Sequence, residues 1–117
     1  MTETASSVLA GVEPATFWTH FDALTRIARP SRHEEPAIDH VHRWAGERGF
    51  DAEQDEGRNV VIRVPATAGR ESAPTVVLQG HLDMVCERDP ASSNDPAEGR
   101  IFGDTGAAPA STTSTTP

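Results

Sequence analysis

Residues 75–83 read Thr-Val-Val-Leu-Gln-Gly-His-Leu-Asp, an apolar run that ends at a glycine and then presents a histidine and an aspartate in alternation. Pro74 bounds the run on one side and Gly80 on the other. A continuous apolar stretch of this kind suits a strand covered on both faces, as found inside α/β sheets. Ligands of open α/β sheets bind beyond the carboxyl ends of the strands, so the residues after Gln79 stand where chemistry is done. With Leu82 between them, His81 and Asp83 can point to one side of an extended backbone. One imidazole nitrogen is then available to a metal, while a carboxylate nearby fixes the tautomer and raises ligand basicity. By itself H-x-D is a weak signal, because a histidine at a strand end is more often a hydrogen-bonded boundary residue.

Upstream of this run the period is helical. Phe17, Phe21, Leu24 and Ala28 fall at intervals of four, three and four, with Trp18 and Ile27 adjoining, which predicts a helix over residues 14–28. Pro14 suits its first turn and Pro30 stops it. Ser31-Arg32-His33-Glu34 has the S-x-x-E form of a capping box and predicts the start of a second helix there. Ala37, Ile38, Val41, Trp44 and Ala45 would share one face of that helix, and Gly49 would terminate it. Residues 51–54 and 59–64 then read as two strands around a turn containing Gly57, a hairpin. Residues 65–74 form a loop with two prolines and Gly69.

Several histidines and acids have plainer readings. His33 is an exposed first-turn residue, and His20 sits on the first helix. His40 and His42 flank Val41 and leave a helix on different faces, so they cannot chelate one ion as an i, i+4 pair would. Solvated helix positions account for them. Glu34 and Glu35 favour the positive end of the helix they precede. Cys86, without a base free to activate it, reads as a semi-buried structural thiol. Trp18 and Trp44 read as packing residues.

Taken together, four segments resemble aminoacyl-histidine dipeptidases, enzymes of the clan of co-catalytic di-zinc peptidases. VVLQGHLDMVCE (residues 76–87) resembles the first metal-binding motif of that family. RPSRHEE (29–35) is similar to the stretch between its first two helices, WAGERGF (44–50) to the end of the second, and NVVIRVPATAG (59–69) to the strand and loop before the motif. The matches follow family order and spacing over about residues 14–89. The resemblance implies an α/β fold: two helices, a hairpin and a sheet strand as the opening part of a zinc-peptidase-like catalytic domain. It implies that His81 is a ligand of one zinc, and that Asp83 is the catalytic-site aspartate that supports the metal without being the base. It further implies a cytosolic enzyme hydrolysing Xaa-His dipeptides such as β-Ala-His, with two zinc ions.

The other segments of that family's active site are not recognisable: the glycine-flanked bridging aspartate, the Glu-Glu pair with the general base, and a further acid and histidine. Asp104 lies in the right direction, but it lacks the flanking pattern and comes too soon. Catalytic zinc takes three protein ligands and a water, and one histidine cannot hold it tightly. The expectation is therefore an amino-terminal fragment, inactive as such, from a truncated or frame-shifted reading frame whose composition changes near Gly99. A non-catalytic remnant or interaction fragment is the alternative, with self-association through an exposed sheet edge.

Composition narrows the partners. Across 117 residues the charge is -8, from 18 acidic and 10 basic side chains, and the basic ones are all arginine interspersed with acids. Nucleic acid, which needs clustered cations, is excluded as a partner. No segment approaches the roughly 18 apolar residues of a membrane span. The first dozen residues have no Lys or Arg and only a short apolar patch, unlike a secretory signal. A single cysteine asks for no oxidising compartment, so the cytoplasm is expected. The organisation expected is a flexible stretch over 1–13, a partial catalytic domain over 14–89 and an irregular, low-complexity tail over 90–117. Residues 107–117, AAPASTTSTTP, have no large apolar group to offset the entropy of ordering.

Overall fold

The computed structural model describes residues 9–92 together with Asp95 and Pro96. Most of the expected tail, Asp104 included, lies outside the described residues. Two helices and one hairpin follow in chain order: α1 (Ala15–Thr25), α2 (Glu35–Glu47), β1 (Asp51–Gln54) and β2 (Val60–Arg63). The expected α/β class holds, with one change at the strand that was to end at His81.

In α1, Pro14 is the N-cap in extended backbone rather than a first-turn residue. The helix stops at Thr25, three residues before Ala28. Its last carbonyls find local partners: the Thr25 hydroxyl donates to the Asp22 carbonyl, and both Ile27 N–H and the Arg29 guanidinium donate to that of Leu24. A helix whose terminal acceptors are satisfied this way has no need of another turn. Within the apolar stripe Phe17 is 58% and Phe21 37% exposed, with Leu24 and Ala28 half-buried, whereas Asp22, Thr25 and Arg29 are buried. Trp18 packs edge-on against both phenylalanines, at 5.1 and 5.4 Å between ring centroids.

The capping box does not form. Pro36 occupies the first turn of α2, whose N-cap is Glu34 and has no side-chain cap bond. Had the helix begun at Ser31, Pro36 would fall in its interior, where it lacks the N–H to reach the Arg32 carbonyl and its ring collides with that turn. The chain instead turns sharply, with His33 N–H donating to the Pro30 carbonyl at 2.8 Å and Arg32 in left-handed backbone at φ 74°. Positive φ at the third residue is the mark of a type II turn. Glu34 accepts from Arg32 N–H at 2.6 Å and Arg58 donates to the Arg32 carbonyl at 3.4 Å, so the groups left over by Pro36 are used.

The far end of α2 follows the sequence closely. Gly49 sits at φ 70°, its N–H donates to the Gly46 carbonyl at 3.0 Å, and Phe50 N–H donates to that of Ala45 at 2.9 Å. These are the two bonds of a Schellman motif, with Phe50 folded back onto Trp44 at 5.8 Å as its apolar contact. Ala37, Ile38 and Ala45 are the buried apolar residues, and Val41 and Trp44 are half-buried, so the expected face is the one covered.

β1 and β2 pair antiparallel in the register Asp51↔Arg63 to Gln54↔Val60. Their loop is a turn closed by Arg58 N–H on the Asp55 carbonyl, followed by Arg58 in left-handed backbone at φ 65°. Asp55 accepts from the Asn59 backbone and side chain at 2.8 and 2.9 Å. A Cβ on Gly57 would lie 3.1 Å from the Asn59 side-chain nitrogen and 3.3 Å from Asp55 Oδ1, crowding this bonded pair. Side-chain contacts join the hairpin to α2 and its N-cap. His42 Nε2 lies 3.0 Å from Gln54 Oε1, and Arg58 pairs with Glu34 at 3.2 Å and with Glu35. His42 is thus half-buried and bonded rather than merely solvated.

The expected strand over residues 75–79 is not formed. Val76, Val77 and Leu78 are 80, 82 and 92% exposed, and no ladder partner stands beside them among the described residues. An apolar run becomes an interior strand only when flanking strands take its N–H and C=O groups. The chain rejoins the helices just afterwards, where Met84 N–H donates to the Arg29 carbonyl at 2.9 Å in a parallel bridge between Pro30 and Met84.

Candidate functional site

That bridge brings residues 81–84 against the turn between the helices. Ser31, carried to the surface by the left-handed kink at Arg32, donates its hydroxyl to Asp83 Oδ2 at 2.5 Å. The other carboxylate oxygen faces His81, whose Nδ1 lies 2.8 Å from Asp83 Oδ1 and 3.0 Å from the Asp83 carbonyl. His81 and Asp83, selected from the sequence, are therefore side by side. Ser31, read there as a helix cap, is the member of the cluster that sequence reasoning missed. Pro36 was the available signal, because it forbids a helix starting at Ser31.

The electrostatics agree with the geometry. The Ser31 hydroxyl and then the His81 imidazole hold the Asp83 carboxyl below the ordinary carboxylate range, so it is an acceptor only. Both partners of His81 Nδ1 are acceptors, which requires that nitrogen to carry the proton. In the neutral ring Nε2 is then the bare lone pair, and the His81 side chain is 84% exposed. A protonated Nδ1 on a carboxylate with Nε2 open is the arrangement of a metal-ligating histidine.

A shallow concavity of about 240 Å³ adjoins the pair, walled by Phe21, Leu24 and Arg29 from α1 and its exit and by Leu82 and Met84. Cys86 is half-buried with its thiol 3.5 Å from the Met84 carbonyl, in keeping with a structural thiol. His40 is also half-buried, and burial is the main reason its pKa lies below the ordinary imidazole value. It stands apart from this cluster on α2. Zinc in a catalytic centre takes three protein ligands. Among the described residues no group of three or more His, Cys, Asp or Glu side chains could hold a metal ion.

No protein-family model matches the chain. A cytosol non-specific dipeptidase of Escherichia coli (strain K12) is 44% identical over 89 residues, 76% of this chain and 18% of that protein. The crystal structure of an aminoacylhistidine dipeptidase from Vibrio alginolyticus superposes with a TM-score of 0.71 at 39% identity, covering 84% of this chain and 20% of that one. The chain thus spans about a fifth of the length of either relative. Among the described residues no helix is long and apolar enough to cross a membrane. Sequence and fold agree with the resemblance drawn from the four segments: over the residues matched, this chain is similar to dipeptidases.

Proposed function

We propose that the chain carries the first metal-binding motif of a cytoplasmic zinc dipeptidase, with His81 as one zinc ligand through Nε2 and Asp83 as the carboxylate that orients it. The observation that carries this reading is the 2.8 Å contact between His81 Nδ1 and Asp83 Oδ1, which leaves the second ring nitrogen open to solvent. The substrate class is Xaa-His dipeptides. A single imidazole is a weak zinc site, so the remaining ligands and the general base must come from residues outside those described here. The chain alone is expected to be inactive. Zinc titration of the full chain, with β-Ala-His hydrolysis measured alongside, tests this. Weak zinc binding that disappears in His81→Ala, without turnover, is the expected result. Zinc binding indifferent to His81 would overturn the assignment.

A second reading, an interaction fragment without catalysis, is favoured by one observation. Val76, Val77 and Leu78 present an apolar, unpaired stretch to solvent. Such a stretch invites strand pairing with another chain. Sedimentation should show self-association that rises with concentration, and a monodisperse monomer at all concentrations would count against it.

A further inference from the structure

We infer that Ser31 is a positioning residue for His81, acting through Asp83 to select the imidazole tautomer. The inference takes its functional meaning from the proposed metal role of His81, but its physical content stands on this cluster alone. Ser31 and Asp83 are 52 residues apart in sequence, and their 2.5 Å contact is made possible by two local devices. The left-handed backbone at Arg32 frees Ser31 from the helix, and the Met84 to Arg29 bond docks the motif beside it. Without a partner the Asp83 carboxylate is free to rotate about its terminal bond, a broad, roughly two-fold torsion. With Oδ2 held by the Ser31 hydroxyl, Oδ1 is turned toward His81 Nδ1. Together with the Asp83 carbonyl, 3.0 Å from the same nitrogen, this oxygen keeps the proton on Nδ1 and leaves Nε2 as the outward lone pair. The hydrogen bond of the Ser31 hydroxyl goes to Asp83 and not to the imidazole. Its effect is wholly through the orientation of the carboxylate.

The test uses the full metal-free chain and reads the His81 tautomer directly from ring nitrogen-15 shifts in alkaline solution. Ser31→Ala should lower the ratio of the Nδ1–H to the Nε2–H form about three- to tenfold, the range for loss of one hydrogen bond. Ser31→Thr, which keeps the hydroxyl, should retain the ratio, and Asp83→Ala should lower it at least as far as Ser31→Ala. An unchanged ratio in Ser31→Ala overturns the inference. So does a fall in the ratio accompanied by loss of helix content, because that would assign Ser31 to the fold. Failure here leaves zinc binding by His81 free to succeed, and the zinc titration can fail while the tautomer result stands.

Discussion

Shortening Ile38 to alanine should loosen α2 and, with it, the turn that carries Ser31. Ile38 is 5% exposed and lies on the helix face shared with Ala37 and Ala45, both 0% exposed. Removing a buried isoleucine side chain down to alanine costs about 2–5 kcal/mol in a packed core. The lower end applies here, because no large side chain is fully buried among the described residues and the space can relax or admit water. About 2 kcal/mol corresponds to roughly a 30-fold larger opening equilibrium. Amide hydrogen exchange reads that opening region by region and does not require a monomeric, reversible melt. Amides of α2 in Ile38→Ala should exchange about 30-fold faster than in the unaltered chain, and those in Ile38→Val about fivefold faster, for about 1 kcal/mol. Equal exchange in all three proteins would refute the placement of the core on this face.

Arg58 offers a test of the hairpin loop, since it sits in left-handed backbone while pairing with Glu34 and Glu35. Both Arg58→Ala and Arg58→Gly delete the ion pairs, but only glycine relieves the backbone, so the glycine variant should be the more stable by about 1 kcal/mol. Hairpin amide exchange measures the difference, and equal values would argue against the left-handed conformation. The pH dependence of α2 should carry a signature of His40. Burial, then the Arg43 and His20 charges, depress its pKa, so the unfolded chain takes up the proton first. Its contribution is therefore full above the ordinary imidazole value of about 6.5 and is lost as pH falls toward the depressed folded value. His40→Gln should flatten exchange protection of α2 in that window. Glu34, Asp55, Glu71 and Asp83 are depressed as well, and their contributions should be lost only below the ordinary carboxylate range of about 4.

Where bonds are local, the residues announced the structure. Gly49 ends α2 because a left-handed residue there completes both Schellman bonds, and that requirement depends on no distant partner. The hairpin over residues 51–63 is equally self-contained, being closed by Asp55 and Asn59 across Gly57. Ser31 was misplaced because its neighbour Glu34 fits a cap, while Pro36, one turn further on, forbids it. Its true partner is Asp83, 52 residues further along, a contact that no local pattern encodes. The 75–79 run shows the opposite case, since apolar composition announces an interior strand but cannot supply the flanking strands that make one. The stripe of α1 is similar: its periodicity is correct for a helix, yet Phe17 remains 58% exposed. His81 and Asp83 were legible because alternation along an extended chain is enough to bring them together.

The most direct test of the proposed site is paramagnetic cobalt added to the full chain, followed through the imidazole ring protons of all five histidines. Coordination by Nε2 places the ion next to both Hε1 and Hδ2 of His81, so those two resonances should broaden first and together. Broadening centred on His33 or His42, with His81 untouched, would contradict the assignment of His81 as the metal-facing residue.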